Sequence, residues 1–323
     1  MFEFKLCKAV SQTVEIDASF CVHNGKITTL IGKSGAGKST ILNLITGLLS
    51  LDSGYVRTVD KDYTLLPVHQ RGFGYIQQQS LLFGHLSVKQ NLLYSSRATE
   101  KELDRYLDLF ELRPHLDKLV NQLSGGESQR VSIVRTLMSR PKLLLFDEAF
   151  NALDFKLRSK LKKSIVRLKQ ELNIPIIFVT HELTEAYEIS DEIVVIEDGT
   201  VVESGDCKKI FNNCRDVRTA RLLAIDNIFE QEMFSKIGMA VDESCDAIGI
   251  KANQISLEDD GILAHVVSIK ERIDDVVIGL EVTGLSDELV VKMTYQEYDV
   301  RNVKVNQTVF FKIHRMIYLR GDL

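Results

Sequence analysis

The 323-residue chain carries 45% hydrophobic and 26% charged residues, the balance of a folded globular protein rather than a disordered one. Its formal net charge of −5 argues against nucleic-acid binding, and its length favours two domains over a single core. Cys7, Cys21, Cys207, Cys214 and Cys245 are scattered with no CxxC pair, which points to reduced thiols in a cytosolic protein.

At the N-terminus Glu3 and Lys5 interrupt the stretch where a signal peptide would be apolar. No later run reaches the roughly 18–20 apolar residues that span a bilayer, so any work at a membrane is expected to go through a partner. Residues 26–31 (KITTLI) form a strand, and 41–49 an apolar helix. Between them lies a glycine-rich turn, Gly32, Lys33, Ser34, Gly35, Ala36, Gly37, Lys38, Ser39 and Thr40. This GxxxxGKS pattern is a P-loop. Its glycines let backbone N–H groups curl around β- and γ-phosphates, Lys38 adds a mobile positive charge, and Ser39 offers a hydroxyl to Mg²⁺.

Farther along, Gln78 stands at a strand end in GYIQQQSLLFGHLS, flanked by Gln77 and Gln79, so the register is open by one residue; its amide could complete a Mg²⁺ and water shell. A helical insertion follows. Thr99 and Glu102 form a capping box ahead of Leu103, Tyr106, Leu107 and Phe110 at helical spacing. A second helix opens in QLSGGESQR, where Ser124, Gly125 and Gly126 leave N–H groups bare for an anion, with Glu127 next in the turn.

Residues 143–148 (LLLFDE) are an apolar strand ending in two acids at the carboxyl edge of the sheet. Asp147 is placed to bind Mg²⁺ and Glu148 to polarise an attacking water. Residues 155–172 are amphipathic, with Leu157, Leu161, Ile165, Leu168 and Leu172 on one stripe. The opposite face is basic (Lys156, Arg158, Lys160, Lys162, Lys163, Arg167, Lys169), and a solvated face is the expected role. Residues 175–179 (PIIFV) and 193–196 (IVVI) are further strands, the second ending in the turn 197–200. His181, just past PIIFV, could hydrogen-bond a γ-phosphate oxygen.

P-loop, LSGGESQR, LLLFDEAFNALD and VTHE, in that order, resemble the nucleotide-binding subunit of an ABC transporter over about residues 1–225. The resemblance implies an α/β fold, a P-loop NTPase with a helical subdomain at about 79–140. It implies ATP and Mg²⁺ as ligands, with Gly32 to Thr40 cradling ATP and Ser39, Gln78 and Asp147 at the metal. It makes Glu148 the catalytic base, Gln78 the Q-loop glutamine, His181 the switch histidine, Ser124 to Gly126 the signature and Asn151 to Asp154 the D-loop. In this family two subunits pair head to tail, and each signature caps the ATP on the other's P-loop. The expected assembly is a homodimer on the cytoplasmic face of the cell membrane. It would join permease subunits docking near residues 78–86, where Phe83 and Leu86 face the partner, and an extracytoplasmic solute-binding protein. Three departures stand out. No aromatic between Phe4 and Phe20 is placed to stack on adenine, which leaves Phe4 as a weak candidate; Ala149 replaces the usual Pro and Asn151 the usual Ser.

From residue 247 the chain reads as all-β, with strands at 247–250, 262–269, 276–282, 288–293 and 308–319. Five short strands suggest a small closed or partly open OB-like barrel over 246–323, joined by a linker at 226–245. IGIKANQISL and RLLAIDNIFEQE resemble the regulatory (TOBE/MOP-type) domain and its junction in molybdate and sulfate importer ATPases. The expected solute is therefore molybdate or a related oxyanion, tungstate or sulfate. An iron, polyamine or sugar importer and a non-transport ABC ATPase are the alternatives. Glu258, Asp259 and Asp260 stand where such domains hold oxyanion, so tight binding at that loop is not expected, and dimerisation is the expected use of the domain.

Overall fold

The computed structural model describes residues 1–11, 14–94, 96–150, 153–237, 239–242 and 244–323. It separates into two compact units, Met1–Lys208 and Lys209–Leu323.

The first unit contains β1 (Phe2–Ala9), β2 (Glu15–Val22), β3 (Ile27–Ile31), α1 (Lys38–Thr46), β4 (Ser53–Thr58), α2 (Val68–Arg71), β5 (Phe73–Gln77), α3 (Val88–Leu93), α4 (Glu100–Leu109), α5 (Gly125–Met138), β6 (Leu143–Asp147), α6 (Phe155–Leu172), β7 (Ile176–Val179), α7 (Leu183–Ile189), β8 (Glu192–Glu197) and β9 (Thr200–Asp206). Among the described residues the strands make one sheet in the order β4-β1-β2-β9-β8-β3-β7-β6-β5. The run β5-β6-β7-β3-β8 is parallel. Its central strands β3 and β7 are buried along their whole length, which is why KITTLI and PIIFV show no polar alternation. Both β3 and β6 therefore end at the same edge of the sheet, P-loop beside LLLFDE.

Two parts of the unit follow local chemistry closely. Residues Asp198 (φ 46°) and Gly199 (φ 78°) form the two-residue turn of the antiparallel β8–β9 hairpin, with the positive φ pair that such a turn requires. Helix α6 begins at Asp154, whose carboxylate accepts from Leu157 N at 2.9 Å, and ends at Asn173 in the left-handed region. Its stripe of Leu161, Ile165 and Leu168 is buried, and on the basic face Lys160, Lys162 and Lys169 pair with Glu111, Glu188 and Asp191. By contrast, α1 stops at Gly47 (φ 81°) rather than running to Leu49, because the glycine takes the left-handed cap.

The division at Lys208 falls before the expected break near 225. Helix α8 (Cys207–Asn212) lies across it. Helix α9 (Val217–Leu222) belongs with the second unit, where Val217 N donates to Arg320 O at 3.0 Å and Arg320 N to Arg215 O at 2.7 Å. The remaining elements are β10 (Asn227–Glu230), α10 (Gln231–Lys236), β11 (Ala247–Ile250), β12 (Ile255–Glu258), β13 (Ile262–Glu271), β14 (Val276–Glu281), β15 (Leu289–Met293), α11 (Tyr295–Arg301), β16 (Thr308–Ile313) and β17 (Ile317–Leu319). The expected linker at 226–245 is thus largely structured: β10 pairs antiparallel with β11, and Phe229 and Phe234 enter the core of this unit. The strand expected over 308–319 splits. Strand β16 joins the sheet β12-β16-β13-β14-β15, and β17 joins the sheet β10-β11-β17. The pairings define a β-rich unit of two sheets, with β12 and β15 at the edges of the larger one, and do not by themselves close a barrel.

Candidate functional site

The turn after β3 is built for a close backbone approach. Gly35 (φ 84°) and Gly37 (φ 96°) hold left-handed conformations that side chains resist, and a Cβ on Gly32 would lie 2.3 Å from Ile196 O. Around Gly35 a Cβ would meet nothing within 4 Å, so that side of the turn is open. Lys38 is buried, and its Nζ donates to Gly32 O and Lys33 O at 2.8 Å each. Burial pushes this ammonium below its ordinary pKa, against the opposing pull of Glu148 and Asp147. Lys33, Ser34 and Ser39 are exposed on the rim, while Ala36 packs into the core.

Asp147, the last residue of β6, receives hydrogen bonds on both oxygens. Ser39 Oγ donates to Oδ1 at 3.0 Å, and the Tyr75 hydroxyl donates to Oδ2 at 2.8 Å. Burial first, then the Asp147 charge, pushes the Tyr75 pKa upward, so this hydroxyl remains a donor. A hydroxyl and a carboxylate side by side are hard oxygen donors of the kind magnesium takes. The β5–β6 register places Gln77 opposite Asp147. Gln78 lies one residue beyond the strand and is exposed.

Glu148 has φ 49°, a backbone conformation that costs a non-glycine residue energy and recurs at functional sites. Its N–H donates to Val179 O at 3.1 Å, which fixes it against the end of β7. Beyond that strand, His181 Nδ1 lies 3.5 Å from Glu148 Oε1, and the imidazole is half exposed. The structure thus brings Lys38, Ser39, Asp147, Glu148 and His181 to one sheet edge. Asn151 of the expected D-loop, and Ala152 after it, lie outside the described residues; Leu153 and Asp154 do not.

Phe4 does not serve as the adenine platform. It is 2% exposed and packed against Phe20 at a ring distance of 5.1 Å, within the core under β1 and β2.

The signature forms a separate helix start. Ser124 caps α5, accepting from Glu127 N at 3.3 Å, while Glu127 accepts from Ser124 N at 2.7 Å. That backbone bond, first among its contacts, holds the Glu127 carboxyl below its ordinary pKa. The N–H groups of Gly125 and Gly126 stand where a helix has no internal acceptor for them. Among the described residues no hydrogen bond or ion pair joins residues 124–127 to the P-loop. The two glycines differ: a Cβ on Gly126 would meet Leu157 Cδ2 at 2.3 Å, and one on Gly125 would meet nothing.

A buried amide escapes sequence reasoning. Asn91, fully buried on α3, accepts from Phe83 N at 2.9 Å and donates to Phe83 O, Leu86 O and Ser87 O, which shapes the turn at 83–87. Leu81 and Tyr94 are exposed near this turn, and the Phe83 ring packs on Tyr94 at 4.4 Å and under Arg135.

A run of parallel strands, a P-loop at its carboxyl edge and paired acids at the same end of the next strand but one define a P-loop nucleotide-binding protein. The family described as ABC transporter matches residues 16–151. The spermidine/putrescine import ATP-binding protein of Spiroplasma citri is 37% identical over 222 residues, 67% of this chain and 63% of that protein. Its namesake in Clostridium acetobutylicum is 33% identical over 243 residues, 72% of this chain and 69% of that protein. Among solved structures, a dimeric ATP-binding cassette in a post-hydrolysis state bound to ADP and Pi is 26% identical. It superposes with a TM-score of 0.56, covering 64% of this chain and 99% of that one. The chain belongs to the ABC transporter family of ATP-binding proteins. It spans 63% of the length of the Spiroplasma relative.

Proposed function

We propose that the protein hydrolyses ATP as the energising subunit of an importer, working as a homodimer. The observation that carries this reading is the meeting of Ser39, Asp147, Glu148 and His181 at the edge of the sheet, beside the P-loop. The backbone N–H groups of residues 32–37 and the Lys38 ammonium bind the phosphates. Glu148, held by Val179 O and facing His181, takes the proton of the attacking water at its carboxylate. His181 then orients the γ-phosphate. Ser39, Asp147 and Gln78 would hold a magnesium ion, which would supply charge neutralisation for the phosphates.

The signature of one copy closes over the nucleotide of the other, which fits its lack of ties to its own P-loop and the open side of Gly125. The ADP- and Pi-bound dimer among the similar structures supports this arrangement. Nucleotide binding then stabilises the dimer and hydrolysis releases it. The coupling to transport runs through permease subunits docked near 78–86 on the membrane's cytoplasmic face; no helix among the described residues is long and apolar enough to cross a membrane.

For the solute, the names of the relatives favour a polyamine over the molybdate expected from the tail. The turn between β12 and β13 agrees with them. Asp259 is exposed and 3.8 Å from Arg301, Asp260 pairs with Lys312 at 2.6 Å, and these partners leave the turn no surplus of positive charge for an oxyanion. Phosphate release from ATP by the purified chain tests the catalytic reading: release no faster than from Lys38→Ala overturns it. Uptake of labelled spermidine and molybdate by host cells carrying Glu148→Gln tests the solute, since only the transported one should stop entering.

A further inference from the structure

The Tyr75 hydroxyl donates to Asp147 Oδ2 at 2.8 Å. Asn43 Oδ1 on α1 lies 3.4 Å from the same hydroxyl. The ladder with β5 and β7 fixes the Asp147 backbone, but side-chain rotation about χ1 and χ2 is left to its partners. Ser39 engages Oδ1 and Tyr75 engages Oδ2, from different elements, so together they define the plane of the carboxylate. Partners of this kind behind a metal-binding side chain commonly control metal affinity about 10- to 100-fold.

We propose that Tyr75 is a positioning residue for the Asp147 carboxylate, holding it ready for the magnesium ion that accompanies the nucleotide. The inference rests on the nucleotide-binding reading above and extends it to a side chain outside the four sequence motifs. The ring itself packs beside the core under α1, a structural duty that phenylalanine keeps. The hydroxyl is the part that acts on the metal.

The test is Tyr75→Phe in the full chain, with two readouts that do not depend on turnover. One is the affinity for ADP in the presence of a chelator; the other is Mn²⁺ binding to the protein–ADP complex, followed by electron paramagnetic resonance. The variant should bind metal-free ADP within twofold of the parent and Mn²⁺ about tenfold more weakly. In an Asp147→Asn background the same change should add no further loss of Mn²⁺ affinity, since the hydroxyl acts through that carboxylate. Unchanged Mn²⁺ affinity, an equal loss of metal-free ADP binding, additive losses in the double variant, or failure of Tyr75→Phe to fold each overturns the proposal. A parent chain that binds no ADP at all would overturn the nucleotide reading as well, which separates the two failures.

Discussion

The side-chain amide of Gln129 donates to the backbone carbonyl of Gln77 at 3.1 Å. Gln129 lies on α5, five residues after the signature serine, and is 3% exposed. Gln77 ends β5, opposite Asp147 and immediately before the segment proposed to meet a permease. A second tie runs parallel, from Arg135 on the same helix to Leu81 O at 2.6 Å. Helix α5 therefore holds the segment 77–81 at two points.

Replacing Gln129 with Leu removes the first tie and strands a polar acceptor. The expected loss of stability is about 1–3 kcal/mol, read as a lower urea midpoint with an unchanged slope. An unchanged midpoint would mean that solvent replaces the bond and that the tie carries no load.

Glu148→Gln keeps the size of the side chain and removes its basicity. Turnover should fall at least about 100-fold, the usual contribution of a general base. ATP binding should persist, so a dimer should accumulate with ATP and be visible by light scattering. Phosphate release near the parent rate would show that another group takes the proton, and the strained backbone at Glu148 would need a different account.

The residues proposed to bind and hydrolyse ATP were readable in the sequence because each lies within a few residues of a glycine turn or the end of an apolar strand. Lys38, Ser39, Asp147, Glu148 and His181 are of this kind. Tyr75 and Gln129 were not readable, since their partners lie 72 and 52 residues away and neither bears a local pattern. Buried strands and α6 were clear from continuous apolar runs and a 3.6-residue stripe. Strand β2 was missed although its burial alternates strictly, with Ile16, Ala18, Phe20 and Val22 inward and Glu15, Asp17, Ser19 and Cys21 outward. A period-2 scan would have found it. In the second unit α11 was missed by an all-β reading although Thr294 and Glu297 form a capping box at its start, and the break between β16 and β17 had only Arg315 as a local sign.

The two signature glycines should respond differently to alanine. At Gly126 the new methyl group meets Leu157 within the same chain, at 2.3 Å before any adjustment. A cost of about 1 kcal/mol is expected, seen as a lower melting temperature without nucleotide. Gly125→Ala meets nothing in its own chain and should melt like the parent. Its effect should emerge only when two copies close on nucleotide, as a weaker ATP-dependent dimer. Equal behaviour of the two variants in both assays would contradict the separation of internal packing from partner contact.

The link between Glu102 and Arg140 sets a pH dependence in the helical insertion. Arg140 Nη2 bonds Glu102 Oε2, and the Thr99 N–H and hydroxyl bond the same carboxylate oxygen. The arginine bond first, then the two threonine bonds, lowers the Glu102 pKa to about 2 from an ordinary 4.5. A carboxyl with a depressed folded-state pKa stabilises the fold above its unfolded pKa, and that stabilisation fades as pH falls through the folded one. The window is therefore about pH 4.5 down to 2. Glu102→Gln should melt below the parent at pH 7, and the gap should shrink through that window and close near its lower end. A gap that stays constant across the window would show that the charge on Glu102 does not contribute, leaving the neutral cap of α4 as its whole role.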